Sequence, residues 1–110
     1  MQIRISTDHS VARDEAMVAE VTRVVTHALQ RLSDRITRVE VHLDDENGPK
    51  KGENDKRCRL EARLAGHQPV VVTHHGDTME RAAHGAAENL VRMIDSTLGR
   101  IAHSGEPRHG

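Results

Sequence analysis

The sequence contains no phenylalanine, tyrosine or tryptophan. Its core must therefore be assembled from Val, Leu, Ile, Met and Ala, and a nucleic-acid surface that stacks bases on aromatic rings is excluded. With a single cysteine, Cys58, no disulfide can form within the chain. That residue falls inside a strand pattern, where a free cysteine behaves as a small buried hydrophobe. No apolar run approaches the roughly 20 residues that span a bilayer, so no membrane partner is expected. Excess charge is missing too: 16 Lys and Arg stand against 17 Asp and Glu, a formal charge of −1. The strongly basic balance of many nucleic-acid binders is therefore absent. Nine histidines offset this in mild acid, since protonating all of them adds nine charges and carries the chain from −1 to +8. Met1-Gln2-Ile3-Arg4-Ile5 begins a strand pattern with no signal peptide ahead of it, and a cytoplasmic location is expected.

What is present is periodicity. Over 110 residues, the size of one domain, the apolar side chains recur at regular intervals. Residues 2–6 alternate, with Ile3 and Ile5 on one face. Ser6-Thr7-Asp8-His9-Ser10 is turn and cap chemistry, and a helix can start at Ser10 or at Asp14. From Asp14 to Ser33 the period is helical: Met17, Val21, Val24, Ala28 and Leu32 form a stripe that Val25 and Leu29 widen. Residues 36–45 return to period two through Val39, Val41 and Leu43, and Lys56 to Ala65 does so through Cys58, Leu60, Ala62 and Leu64. Gly66-His67-Gln68 turns the chain into a last strand over Pro69–His74. Asp77, with Glu80 three residues on, resembles a capping box for a second helix. Its stripe is Met79, Ala83, Ala86, Leu90, Ile94 and Leu98, flanked by Ala82, Gly85 and Ala87, and Gly99 is a candidate stop.

One arrangement buries every stripe: an α+β, two-layer β-α-β-β-β-α sandwich with both helices on one face of a four-stranded mixed sheet. The first two strands run parallel through the helical crossover, and the last three form an antiparallel meander. The open face then carries Arg38, Glu40, His42, Arg57, Arg59, Glu61 and Arg63. The domain spans residues 1–101, and 102–110 form a flexible tail.

No catalytic centre is legible: there is no nucleophile elbow, phosphate loop or suggestive Cys–His pair. Asp44-Asp45-Glu46-Asn47-Gly48 gathers carboxylates without the alternate spacing and distal Glu of a calcium loop, and reads as a solvated hairpin. His74 and His75 are adjacent in a strand and point to opposite faces, so they cannot share one metal. Neither a metal, a cofactor nor a small-molecule substrate is expected. The basic residues carry a more diffuse signal. Arg23, Arg31 and Arg35 lie on or just after the first helix, Arg81, Arg92 and Arg100 on the second, and Lys50 and Lys51 in the central loop. Arginines on two adjacent helices can span the phosphates of folded RNA. His27 and His84 would add charge there as the pH falls toward 6.

Three stretches carry a resemblance: Asp34-Arg35-Ile36-Thr37-Arg38-Val39-Glu40-Val41-His42-Leu43, Asp55-Lys56-Arg57-Cys58-Arg59-Leu60-Glu61-Ala62-Arg63, and Gly76-Asp77-Thr78-Met79-Glu80-Arg81-Ala82-Ala83. Together with the element order they resemble the ribosome hibernation-promoting factors, also called ribosome-associated translation inhibitors or sigma-54 modulation proteins, over about residues 1–100. The resemblance is to a short form, and it implies the same fold and no enzymatic activity. It implies a protein that sits on the small ribosomal subunit and contacts 16S rRNA through basic helix residues. There it blocks the mRNA and tRNA sites under stress or in stationary phase. Arg92 matches a basic position of the family's second helix, and Arg23, His27 and Arg31 are its candidates on the first. Asn89 and Ser96 stand where relatives commonly carry basic residues. Nothing after residue 101 resembles the dimerising module of the long forms, so a monomer off the ribosome is expected. The alternative is a diverged regulatory or protein-interaction module that kept the fold without ribosome binding.

Overall fold

A computed structural model of the chain describes residues 1–46 and 55–104, those from 100 onward through their helical backbone alone. Its elements are β1 (Gln2–Thr7), α1 (Glu15–Leu29) with a 3-10 turn over Gln30–Leu32, β2 (Ile36–Asp45), β3 (Lys56–Leu64), β4 (Val70–Gly76) and α2 (Met79–Ser104). The strands lie in the order β1-β2-β3-β4. β1 and β2 are parallel, with Ile3 opposite Val39 and Ile5 opposite Val41. β3 runs antiparallel to both β2 and β4. This is the mixed sheet and element order expected from the alternation and helix periods.

The two-residue period of each strand decides which side faces the helices. Val39, Val41 and Leu43 on β2 and Cys58, Leu60, Ala62 and Leu64 on β3 are buried. A register shift between Ile36 and Arg38 lets Ile36 and Val39 both turn inward although three residues apart. α2 lies over β3 and β4, and α1 packs beside α2 and against β1. Without rings to fill space, the largest fully buried side chains are Leu29, Leu43, Leu60, Leu90 and Ile94. Four buried alanines, Ala82, Ala83, Ala86 and Ala87, bring α2 close to its neighbours. Fully burying one leucine contributes about 1.5–3 kcal/mol, so the aliphatic layer alone is a large favourable term.

Local chemistry sets the boundaries, and it differs from expectation in three places. Asp14 caps α1, its carboxylate accepting from the Ala16 N–H at 3.0 Å, which decides between the two possible starts. The centre of the α1 stripe is Val21, Val25 and Leu29, all fully buried, while Met17, Val24 and Ala28 are only half-buried. The cap of α2 is Thr78 rather than Asp77: its hydroxyl accepts from the Arg81 N–H at 3.1 Å, and Asp77 pairs with the Arg81 guanidinium instead. Gly99 does not stop α2, which continues to Ser104. An isolated glycine costs a helix only about 1 kcal/mol. The β3–β4 connection turns at Gly66 (φ 77°), where the left-handed conformation excludes most side chains, and the His67 N–H closes the turn on the Leu64 carbonyl at 3.2 Å.

Candidate nucleic-acid interface

The helical layer presents most of the residues singled out from the sequence. Arg23 and His27 are exposed on α1, Arg31 on the 3-10 turn, Arg35 just before β2, and Arg81 and Arg92 on α2. Arg100 has only its helical backbone described, and Lys50 and Lys51 lie outside the described residues.

Most of these cations are already matched. Arg23 binds Glu20 one turn earlier, its Nε donating to Oε2 at 3.1 Å, which holds the Glu20 carboxyl below its ordinary value. Arg31 reaches from one helical segment to the other, donating to Asp95 Oδ2 at 2.7 Å, and this bond raises the guanidinium further. Arg81 pairs with Asp77 at 3.0 Å. His84 lies 3.0 Å from Glu88. Arg92 is different, because it donates to the neutral amide oxygen of Asn89 and has no ion-pair partner among the described residues. Arg35 has no ion-pair partner among the described residues. Arg23, Arg81 and His84 do converge on one surface depression of about 440 Å³, but Glu20, Glu80 and Glu88 line it with them. A second depression of about 580 Å³ is lined by Arg23, His27, Thr26, Gln30, Ser33 and Met1, with no carboxylate among the described residues.

Beneath the helices, His74 faces inward, opposite Cys58 in the register, while His75 faces out and meets Glu46 at 2.7 Å. The adjacent histidines thus point to opposite sides. His42 is on the outer face and cannot reach His74. Among the described residues no three His, Cys, Asp or Glu side chains are grouped as metal ligands. Burial pushes the Cys58 thiol up to about 12, the setting of an inert core residue.

The outer face of the sheet is also polar. Its cross-strand rows are Asp44–Arg57–His75, Ser6–His42–Arg59–Thr73, Arg4–Glu40–Glu61–Val71 and Gln2–Arg38–Arg63. Arg57 grips Asp44 through two bonds of 2.8 and 2.6 Å, and the carboxylate raises its pKa further. Arg38 lies 3.7 Å from Glu40, and Arg63 lies 3.4 Å from Glu61. Arg59 and Arg4 have no ion-pair partner among the described residues. The sequence assigned this face its arginines but gave them no role.

The comparisons agree with this architecture. The Sigma 54 modulation protein / S30EA ribosomal protein family matches residues 3–102. A ribosomal subunit interface protein from Coxiella burnetii superposes with a TM-score of 0.74 at 14% identity, covering 90% of this chain and 99% of that one. The N-terminal domain of Thermus thermophilus Protein Y gives 0.68 at 16%, covering 88% and 99%. At these identities the two structures establish the shared fold. No curated protein sequence matches the chain significantly.

Proposed function

The chain belongs to the Sigma 54 modulation protein / S30EA ribosomal protein family, and from that premise we propose that it is a ribosome-associated translation inhibitor of the hibernation type. In this reading it binds 16S rRNA on the small subunit and occupies the space of mRNA and tRNA in stressed or stationary-phase cells. It acts as a single copy in the cytoplasm, without catalysis. The observation that carries the reading is the family match across nearly the whole chain. The exposed Arg92 and Arg35, which no carboxylate among the described residues neutralises, supply phosphate contacts on the helical side. Lys50, Lys51 and Arg100 are proposed to add to them, and Arg23, His27, Arg31 and Arg81 to exchange their internal partners for phosphate. With no aromatic residue, the grip is on backbone and shape.

Co-sedimentation with purified small subunits tests the proposal. Binding at low salt that weakens steeply as salt rises supports it, because each neutralised phosphate releases counterions. No association at low salt, at pH 6 as well as pH 7.5, would overturn it. One observation favours the second reading, a regulatory module of the same fold. Carboxylates of the chain itself already hold Arg23, Arg31 and Arg81. The same sedimentation experiment separates the two.

A further inference from the structure

The two faces of the domain differ in charge, and the difference runs against the expectation that the helices are the basic side. Residues 15–32 and 79–99, the helical segments, carry four arginines against five carboxylates. Counting Arg100 only levels them. The outward positions of the strands carry five arginines, Arg4, Arg38, Arg57, Arg59 and Arg63, against three carboxylates, Glu40, Asp44 and Glu61. The pairings locate the surplus. Asp44 is held by Arg57, Glu40 lies beside Arg38 and Glu61 beside Arg63, which leaves Arg59, and Arg4 opposite Glu40 in the register, without an ion pair among the described residues. Beyond the strand ends, Glu46 is held by Arg57 and His75, and Asp8 accepts from the Ser10 N–H at 2.9 Å.

We propose that the outer face of the sheet is a binding surface for the phosphate backbone of RNA, centred on Arg59 and Arg4. Arg59 sits in a row with His42, Ser6 and Thr73. Side chains directly opposite on paired strands stand about 5 Å apart at Cβ, so a guanidinium, an imidazole and two hydroxyls form one continuous line of hydrogen-bonding groups. That line crosses a depression of about 530 Å³ lined by Ser6, His42, Arg57, Arg59 and Thr73 together with the carboxylates Asp8 and Asp44, the second of them held by Arg57. Arg4 lies one row along and two strands away, about 12 Å from Arg59 by strand spacing and rise, which suits successive contacts along a single strand rather than one small anion. The free fork of an arginine is suited to phosphate oxygens. The absence of rings confines recognition to backbone, without base stacking.

The inference rests on the RNA-binding reading of the family but assigns a different surface, and its test is read apart from ribosome binding. The probe is a ten-nucleotide oligouridine titrated into the full-length chain at low salt, followed by amide NMR shifts. The expected perturbations fall on residues 2–6, 38–44, 57–63 and 71–75. The Arg4→Gln/Arg59→Gln variant, which alters two exposed residues, should bind about tenfold or more weakly. Its log–log salt slope should fall by about 1.4, or 0.7 per lost phosphate contact on a single strand. Arg13→Gln, which removes an exposed arginine ahead of α1 that belongs to neither surface, should leave oligouridine binding within about twofold of the parent. Shifts confined to α1 and α2, wild-type affinity in Arg4→Gln/Arg59→Gln, or no binding by the parent would each overturn the proposal. Loss of small-subunit binding by the parent, with oligouridine still bound on the sheet, would remove the ribosome reading and leave this one standing.

Discussion

The imidazole of His74 lies so close under the backbone of Gly85 that a β-carbon added there would overlap the ring. Asn89, one turn further along α2, places its side-chain nitrogen 3.4 Å from His74 Nδ1. A polar side chain therefore occupies the helix-facing side of an edge strand, and a glycine makes the room. Gly85→Ala sets two effects of opposite sign against each other. Alanine gains about 0.8–1.0 kcal/mol of helix propensity, while forcing a methyl into an occupied space costs about 1–3 kcal/mol. The overlap involves a ring trapped between sheet and helix, so net destabilisation is expected in urea unfolding. In a His74→Ala background the same substitution should turn stabilising. A neutral or stabilising Gly85→Ala in the parent would contradict this packing.

Thr78 provides a second test. As the cap of α2 it satisfies a helix N–H that Asp77 does not, so Thr78→Ala should cost about 1 kcal/mol. Asp77→Ala, which removes an exposed pair with Arg81, should cost less than about 0.5 kcal/mol in the same denaturant titration. The reverse order would return the cap to Asp77.

These two sites show where the sequence was legible and where it was not. Strand faces could be read because a period of two leaves no choice once Val39, Val41, Leu43, Cys58, Leu60 and Ala62 must share a side. The cap was ambiguous because Asp77 and Thr78 are both good cap residues. What selects Thr78 is the path of the chain out of Gly76, whose added β-carbon would lie 2.7 Å from the Ala82 nitrogen. The α1 stripe was placed with a small rotation error, since Val21, Val25 and Leu29 become its centre only when α2 packs alongside. At the candidate interface, the elements bearing each described arginine were foreseeable. Their neutralisation was foreseeable only for neighbours in sequence, such as Glu20–Arg23 and Asp77–Arg81. Arg31 and Asp95 are 64 positions apart and meet only through tertiary structure.

The Arg31–Asp95 bridge yields a prediction about function as well as stability. Both side chains are largely exposed, 64% and 47%, so their coupling in a double-mutant cycle should be below about 1 kcal/mol. Asp95→Asn should then leave the fold intact and free a guanidinium on the helical side. Tighter small-subunit binding with a steeper salt slope is expected in sedimentation. Unchanged binding would remove Arg31 from the ribosome contact.

Two pH responses follow from the shifted groups. The Ser10 hydroxyl and N–H hold the Asp8 carboxyl below its ordinary value of 3.8, and Ser10 Oγ also accepts from the Asp45 N–H at 3.0 Å, tying the β1–α1 loop to the end of β2. A carboxyl depressed in the folded state adds stability above its unfolded pKa, and that contribution disappears as the pH falls through the folded value. Loosening of this loop is therefore expected only below about pH 4, and Ser10→Ala should raise the Asp8 pKa toward 3.8 in an NMR titration. Cys58 runs the opposite way. Its thiol, pushed up to about 12, stays neutral when folded, so its share of stability is present below the unfolded value of 9.0 and is lost as the pH rises above it. At pH 8 a thiol reagent should modify Cys58 only after denaturation. Rapid labelling of the native chain would contradict its burial.

Chemical footprinting of 16S rRNA in purified small subunits measures directly whether this chain occupies the mRNA and tRNA sites. With saturating protein at low salt, the nucleotides lining those sites should be protected, and that protection should be lost when tRNA is added in excess. Protection elsewhere on the subunit, or a footprint indifferent to tRNA, would contradict the proposed function.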